Sequence, residues 1–236
     1  MIQSWRANFG LATDAYFGFI QLSTWAVAGD AIPLMRQAQM AAVTTQGAAY
    51  ALNADREWQG SFWRAQHAPS LPLSPLPNPN QWTDGAGANI HPPQKQNCGK
   101  RLGNSALALK YKQALTWKSP AFASQVLGAA SATVALTDVT AAGLALRPSA
   151  NAGTIDCTKA AGVCAWASLQ FDDAAATWVN ASVALTPDSQ GLVLSAQAPA
   201  GSTKVVASSY AWGAVPFMTV YLAEPGTDLP VQAWKA

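Results

Sequence analysis

Seven short runs punctuate the second half of this chain: SATVALTDV (131–139), GLALRPS (143–149), VCAWASLQF (163–171), TWVNASVAL (177–185), GLVLSAQA (191–198), KVVASSYAW (204–212) and FMTVYL (217–222). Each is six to nine residues long, and Gly, Pro, Asp or Ser breaks the pattern between them. Turn residues at this spacing leave no room for long helices and favour strands. Several runs alternate with period two. In TWVNASVAL, Trp178, Asn180, Ser182 and Ala184 take one side, and Val179, Ala181 and Val183 the other. A half-buried strand alternates in this way because successive side chains point to opposite faces. Repeated short strands of this kind predict an antiparallel β-sandwich over residues 116–236.

Residues 1–115 have a different texture. MIQSWRANFG reads as an amphipathic helix fragment with Ile2, Trp5 and Phe9 on one side. It lacks the basic and apolar regions of a signal peptide. YFGFIQLSTW (16–25) is a strand candidate. Pro33 then opens the helix LMRQAQMAAV, with Leu34, Met35, Ala38 and Met40 available for a core face. GAAYALNAD (47–55) is a second strand candidate, ending at Asp55. The segment HPPQKQ opens another helix, in which Cys98, Leu102, Ala106 and Leu109 form one stripe. Strands alternating with helices predict an α/β layer with parallel strands. Residues 56–83 interrupt it with five prolines and no periodicity. Such a segment makes no central strand and reads as an insertion. His67 lies inside it and is set aside as a catalytic residue.

Charged residues make up only 11% of the chain and the net charge is +2. No clustered basic surface points to nucleic acid. No apolar run approaches the roughly 20 residues of a membrane span. The ten tryptophans serve either a core or the stacking of sugar rings, and the core is the commoner use. Cys157 and Cys164 flank TKAAGV, where a local disulfide and two free thiols are both open readings; a disulfide suits an oxidising compartment. Cys98 reads as a small core residue on its helix. Asn180-Ala181-Ser182 fits a glycosylation acceptor.

Only two histidines are present, and His91 stands directly before Pro92 and Pro93. Proline suits a first helical turn, where its missing N–H has no helical partner. His91 is therefore expected at a helix N-terminus. The positive end of the helix dipole favours the neutral ring there. A neutral imidazole is the form a general base needs, although a polar cap is the alternative role.

The block Ile90, His91, Pro92, Lys95, Gly99, Arg101, Leu102, Ala106 and Leu107 resembles the one that carries the catalytic histidine in sialate O-acetylesterases of the SGNH hydrolase superfamily. MIQSWR resembles the family's helix ahead of a strand, and FGFIQLSTW its Phe-x-x-Gln-Leu strand. LMRQAQ is similar to its Arg-x-x-Gln helix through Arg36 and Gln39, and the ending SSYAWGAVPFMTVYLAEPGTDLPVQAW to its last strands and tail. The likeness spans nearly the whole chain except the Pro-rich insertion. It implies the C-terminal part of a flavodoxin-like SGNH layer followed by an antiparallel β-sandwich. It also implies hydrolysis of acetyl esters on sialic acid, a secreted or lysosomal setting, and no cofactor or metal.

In that family a serine attacks the ester, and the histidine takes its proton and later activates water. His91 matches that histidine. The superfamily often places an Asp three residues earlier, where this chain has Ala88. Asp55, ending a strand candidate, and Asp84, following the insertion, are both candidates for the acid partner. The family's Gly-x-Ser-Asn nucleophile motif is not in this sequence. Gly29-Asp30-Ala31 lacks the hydroxyl, and Ser105 falls inside a helix without a nucleophile elbow. The chain thus reads as the C-terminal portion of an esterase whose N-terminal half is its expected partner. The alternatives are a non-catalytic carbohydrate-binding or structural β module, and an acetylesterase on another glycan.

Overall fold

The computed structural model describes residues 1–25, 30–55, 95–147, 164–165, 167–216 and 218–236. Helix α1 (Ile2–Asn8) leads to strand β1 (Phe17–Ile20). Helix α2 (Ala31–Met40) follows and runs into a 3-10 turn (Ala41–Thr44) and strand β2 (Ala48–Ala51). β1 and β2 pair in parallel, from Phe17 opposite Ala48 to Ile20 opposite Ala51. Parallel neighbours need a crossover out of the sheet plane, and α2 lies in it. Helix α3 (Lys95–Leu109) packs on both strands. It comes close at Gly18, where a Cβ would run into Leu102 and the Tyr16 hydroxyl.

The helices bury different faces from those the apolar pattern offers. α2 begins at Ala31, ahead of Pro33, and buries Ile32, Pro33 and Arg36. Leu34, Met35 and Ala38 are exposed and Met40 is half-buried, so the expected core face is corrected. α1 buries Ile2 and Arg6, while Trp5 and Phe9 face solvent. α3 buries Cys98, Arg101 and Ser105, and Leu102, Ala106 and Leu109 are only half-buried. The physical reason is shared. On each helix an arginine whose guanidinium donates to backbone carbonyls takes the inward position.

The remaining strands are β3 (Ala121–Leu127), β4 (Ser131–Thr137), β5 (Leu144–Leu146), β6 (Cys164–Ala165), β7 (Ala167–Phe171), β8 (Trp178–Asn180), β9 (Ser182–Leu185), β10 (Gly191–Ser195), β11 (Val205–Tyr210), β12 (Val215–Pro216), β13 (Val220–Leu222) and β14 (Trp234–Lys235). Two four-stranded antiparallel sheets have the orders β3-β4-β10-β9 and β14-β11-β7-β8. β5 pairs with β13 antiparallel, and β6 with β12 in parallel. The fold is thus mixed α/β with several antiparallel sheets and few helices. Val134, Leu192 and Leu194 of the first four-stranded sheet share one core cluster with Leu169, Phe171, Val205 and Tyr210 of the second. TWVNASVAL is divided at Ala181: β8 joins one sheet and β9 the other. Val179, Ala181, Val183 and Leu185 all pack against the core, as the period-two alternation requires. Cys98 is a free, buried thiol. The proposed Cys157–Cys164 link lies outside the described side chains. Among the described residues no helix is long and apolar enough to cross a membrane.

Leu194, on a central strand, is fully buried, and Val126, on the edge strand β3 of the same sheet, is 75% exposed. Leu194→Ala is expected to cost about 2–5 kcal/mol of stability through the cavity it leaves. Val126→Thr is expected to stay within about 0.5 kcal/mol. Urea unfolding followed by circular dichroism reads both, and equal effects would contradict the placement of the core.

Candidate functional site

β2 continues into Leu52, Asn53, Ala54 and Asp55, all buried. Beside it, the residues beyond β1 include Ser23 and Thr24, also buried. In parallel sheets, ligands and reacting groups collect beyond the carboxyl ends of the strands, and this edge is polar. Ser23 Oγ donates to the Asn53 carbonyl at 3.4 Å. Asn53 Oδ1 is a buried acceptor to which no described residue donates.

Asp55 is the one sequence-predicted catalytic candidate among the described residues; His91, Asp84 and the discounted His67 lie outside them. Arg101 grips Asp55 in a two-pronged pair, Nη1 to Oδ1 and Nη2 to Oδ2, each at 2.7 Å. The Tyr221 hydroxyl donates to Oδ2 at 3.1 Å. The same guanidinium donates to the Leu52 carbonyl at 2.7 Å and to the Asp228 carbonyl from Nε at 3.1 Å and Nη2 at 2.5 Å. Both charged side chains are essentially inaccessible, at 3% and 0%. Burial works to lower the pKa of Arg101, but the charge and hydrogen bonds of Asp55 outweigh it and leave it raised. A guanidinium stays protonated in proteins whatever its surroundings. Cys98, three residues earlier on α3, has its thiol pushed up by burial against the opposing pull of Arg101. It is a poor nucleophile there.

The polar chain extends outward from this pair. Asp228 sits at a left-handed φ of 51° and receives Arg147 Nη1 on Oδ1 at 3.1 Å. The Arg147 guanidinium lies 4.8 Å from the centroid of the Tyr221 ring. Asp55, Arg101, Asp228 and Arg147 thus tie the β2 edge through α3 to the segment after β13.

On the β1 side Arg36 does comparable work. Nε donates to the Leu22 carbonyl (2.9 Å), Nη2 to Ser23 (2.8 Å) and Ala214 (3.0 Å), and Nη1 to Gly213 (2.8 Å). Gln39 Oε1 accepts the Leu22 N–H at 2.8 Å. Residues three apart share a helix face, so Arg36 and Gln39 together satisfy both backbone groups of Leu22, as a neighbouring strand would.

Ser105 is wholly buried. Its hydroxyl donates to the Leu102 carbonyl at 2.7 Å and lies 2.9 Å from the Tyr16 hydroxyl. It fastens α3 to the N-terminal segment. Among the described residues no group of His, Cys, Asp and Glu is placed to hold a metal. Spacing alone pairs nothing with Asp55. Arg101 is 46 residues away, and only the Gly-x-Arg-Leu block marked it. Tyr221 and Asp228 fall in FMTVYL and the quoted ending, which mark strands and a tail but no partner for Asp55.

No protein-family model matches the chain, and no curated protein matches it. Among solved structures, it is similar to the crystal structure of a carbohydrate acetylesterase from Xanthomonas citri, with a TM-score of 0.67 and 18% identity. The match covers 100% of this chain and 44% of that one, so this chain spans less than half the length of that neighbour. At that identity the likeness is one of fold.

Asp55→Asn is expected to cost about 3–5 kcal/mol, because it leaves the Arg101 charge buried without its counter-ion. The double replacement Asp55→Leu with Arg101→Met is expected to recover most of that loss. Urea denaturation reads the pair, and wild-type stability for Asp55→Asn would refute the clamp.

Proposed function

We propose that this chain is the C-terminal portion of a carbohydrate esterase that removes O-acetyl groups, with sialate esters as its substrate class. The observation that carries the reading is the full-length fit of the chain onto the fold of a carbohydrate acetylesterase. The His-Pro block around His91 supports the sialate assignment. In this reading β1, β2 and their helices belong to a flavodoxin-like SGNH layer, the first domain (1–115), and the two four-stranded sheets form a β-sandwich domain (116–236). The upstream half of the enzyme supplies the serine. Its Oγ attacks the acetyl carbonyl while His91 takes the proton, and that proton leaves on the released sugar hydroxyl. Water, activated by the same imidazole, then cleaves the acyl-enzyme to acetate. Asp84 or Asp55 orients the ring. Of the two, Asp55 has a structural duty besides, because Arg101 holds both of its oxygens.

A second reading is favoured by one observation: the sequence has no Gly-x-Ser-Asn motif. On that reading the chain acts alone as a glycan-binding or structural module. An esterase of the first kind acting on another acetylated glycan is separated from the sialate enzyme by substrate choice.

The isolated chain is expected to turn over p-nitrophenyl acetate no faster than buffer. Joined to an upstream half that carries the serine, it is expected to deacetylate 9-O-acetyl sialic acid in preference to acetylated xylan. His91→Ala should then lower turnover by about three orders of magnitude with the fold intact. Asp84→Asn without loss of stability separates the orienting acid from Asp55. Near-normal deacetylation by His91→Ala would end the mechanistic assignment.

A further inference from the structure

At the opposite end of the parallel pair, the amino end of β2 borders a cleft of about 400 Å³. That is within the roughly 300–1,000 Å³ range of small-molecule sites. It lies on the order of 20 Å along the strand from Asp55, at about 3.3 Å per residue. Thr45, Trp117, Lys118, Asp138 and Gln232 are in its wall.

Trp117 is half-buried and lines open space rather than core. Tyr50 meets it edge-on, with ring centroids 5.8 Å apart at 61°. Tyr50 is itself pinned: its hydroxyl accepts Ser119 N–H at 3.1 Å and Gln232 Nε2 at 2.8 Å. Gln232 Nε2 also donates to the Ser119 carbonyl at 3.0 Å. The Gln232 amide is thereby oriented by its nitrogen, and no described residue donates to its carbonyl oxygen. At the rim, Lys118 Nζ lies 3.5 Å from Asp138 Oδ1 and 5.8 Å from the Trp117 ring centroid.

We propose that this cleft is a carbohydrate subsite that takes one pyranose of a neutral glycan chain, apart from the sugar that bears the acetyl group. A pyranose has an apolar C–H face for the indole and a ring of hydroxyls for an ammonium, a carboxylate and an amide oxygen. The Lys118–Asp138 pair balances its own charge, which selects a neutral sugar over an anionic one. A second cleft, of about 500 Å³ on the sheet of β3, β4 and β10, has no aromatic residue in its wall and offers no such platform. The inference rests on the carbohydrate reading above, but its measurement is binding and not hydrolysis.

Calorimetric titration of the chain with cellohexaose, xylohexaose, mannohexaose and free N-acetylneuraminic acid tests it. At least one neutral hexamer is expected to bind with Kd below about 1 mM. Trp117→Ala should weaken that binding tenfold or more, and Trp117→Phe by less. Trp178→Ala, at the Trp178–Lys235 pair on the other sheet, should change nothing. Lys118→Ala, at an exposed rim position, should weaken binding severalfold and decides the matter if Trp117→Ala does not fold. The proposal is overturned if no hexamer binds, if N-acetylneuraminic acid binds as well as the hexamers do, or if the folded Trp117 or Lys118 variants bind like wild type. A completed enzyme that hydrolyses p-nitrophenyl acetate yet binds none of these glycans sinks the subsite alone. Glycan binding by a completed, serine-bearing enzyme that hydrolyses no acetyl ester sinks the esterase reading alone.

Discussion

The buried pair of Arg101 and Asp55 is the constraint on which the two halves of the structure meet. Taking both charges out of water costs several kcal/mol per ion, and their attraction offsets this only when the remaining hydrogen bonds are made. Those bonds come from three places: the Leu52 carbonyl beyond β2, the Asp228 carbonyl after β13, and the Tyr221 hydroxyl. The pair is satisfied only when strand end, helix and C-terminal segment are all in register. Arg36 imposes a like condition between the end of β1 and Gly213–Ala214. Arg6 imposes a local one by donating to the Thr13 and Ala15 carbonyls. Lysine could not replace these residues, since only the planar guanidinium offers five donors in a fixed fork.

This explains which parts of the fold the sequence made legible. The strands of TWVNASVAL were readable because alternation survives wherever one face meets the core. β3 was not flagged, and its burial is irregular, with a register shift between Phe122 and Ser124. β12 and β14 are two residues each and too short for any period to show. The helix faces were misjudged for a different reason. Apolar patterning assigns arginine to solvent, and here Arg6, Arg36 and Arg101 each occupy the inward turn. A burial rule based on transfer energies is blind to acceptors waiting inside.

The candidate site divides in the same way. Asp55 was legible because it ends a strand candidate, where reacting groups collect in parallel sheets. Its partners were not, because ion pairs across 46 and hydrogen bonds across 166 residues leave no local trace. His91 stood out through the helix-start prolines and the His-Pro block, and Asp84 only as the acid that follows the Pro-rich insertion; both lie outside the described residues. The two ends of the β1–β2 pair also differ in character. The carboxyl end is dry and crowded with buried polar groups, whereas the amino end is open and aromatic.

The division of TWVNASVAL at Ala181 has a consequence for tolerance to insertion. Ala181 N–H donates to the Ala167 carbonyl at 2.9 Å, so the chain is still bound to one sheet as it leaves for the other. Val179 and Ala181 on one side of this point, and Val183 and Leu185 on the other, keep a single odd-numbered parity. One added residue here would reverse that parity for everything downstream in β9, turning Ser182 and Ala184 inward. Two added residues would preserve it. The crossing therefore acts as a counting device, through which the two sheets share one reading frame of inside and outside.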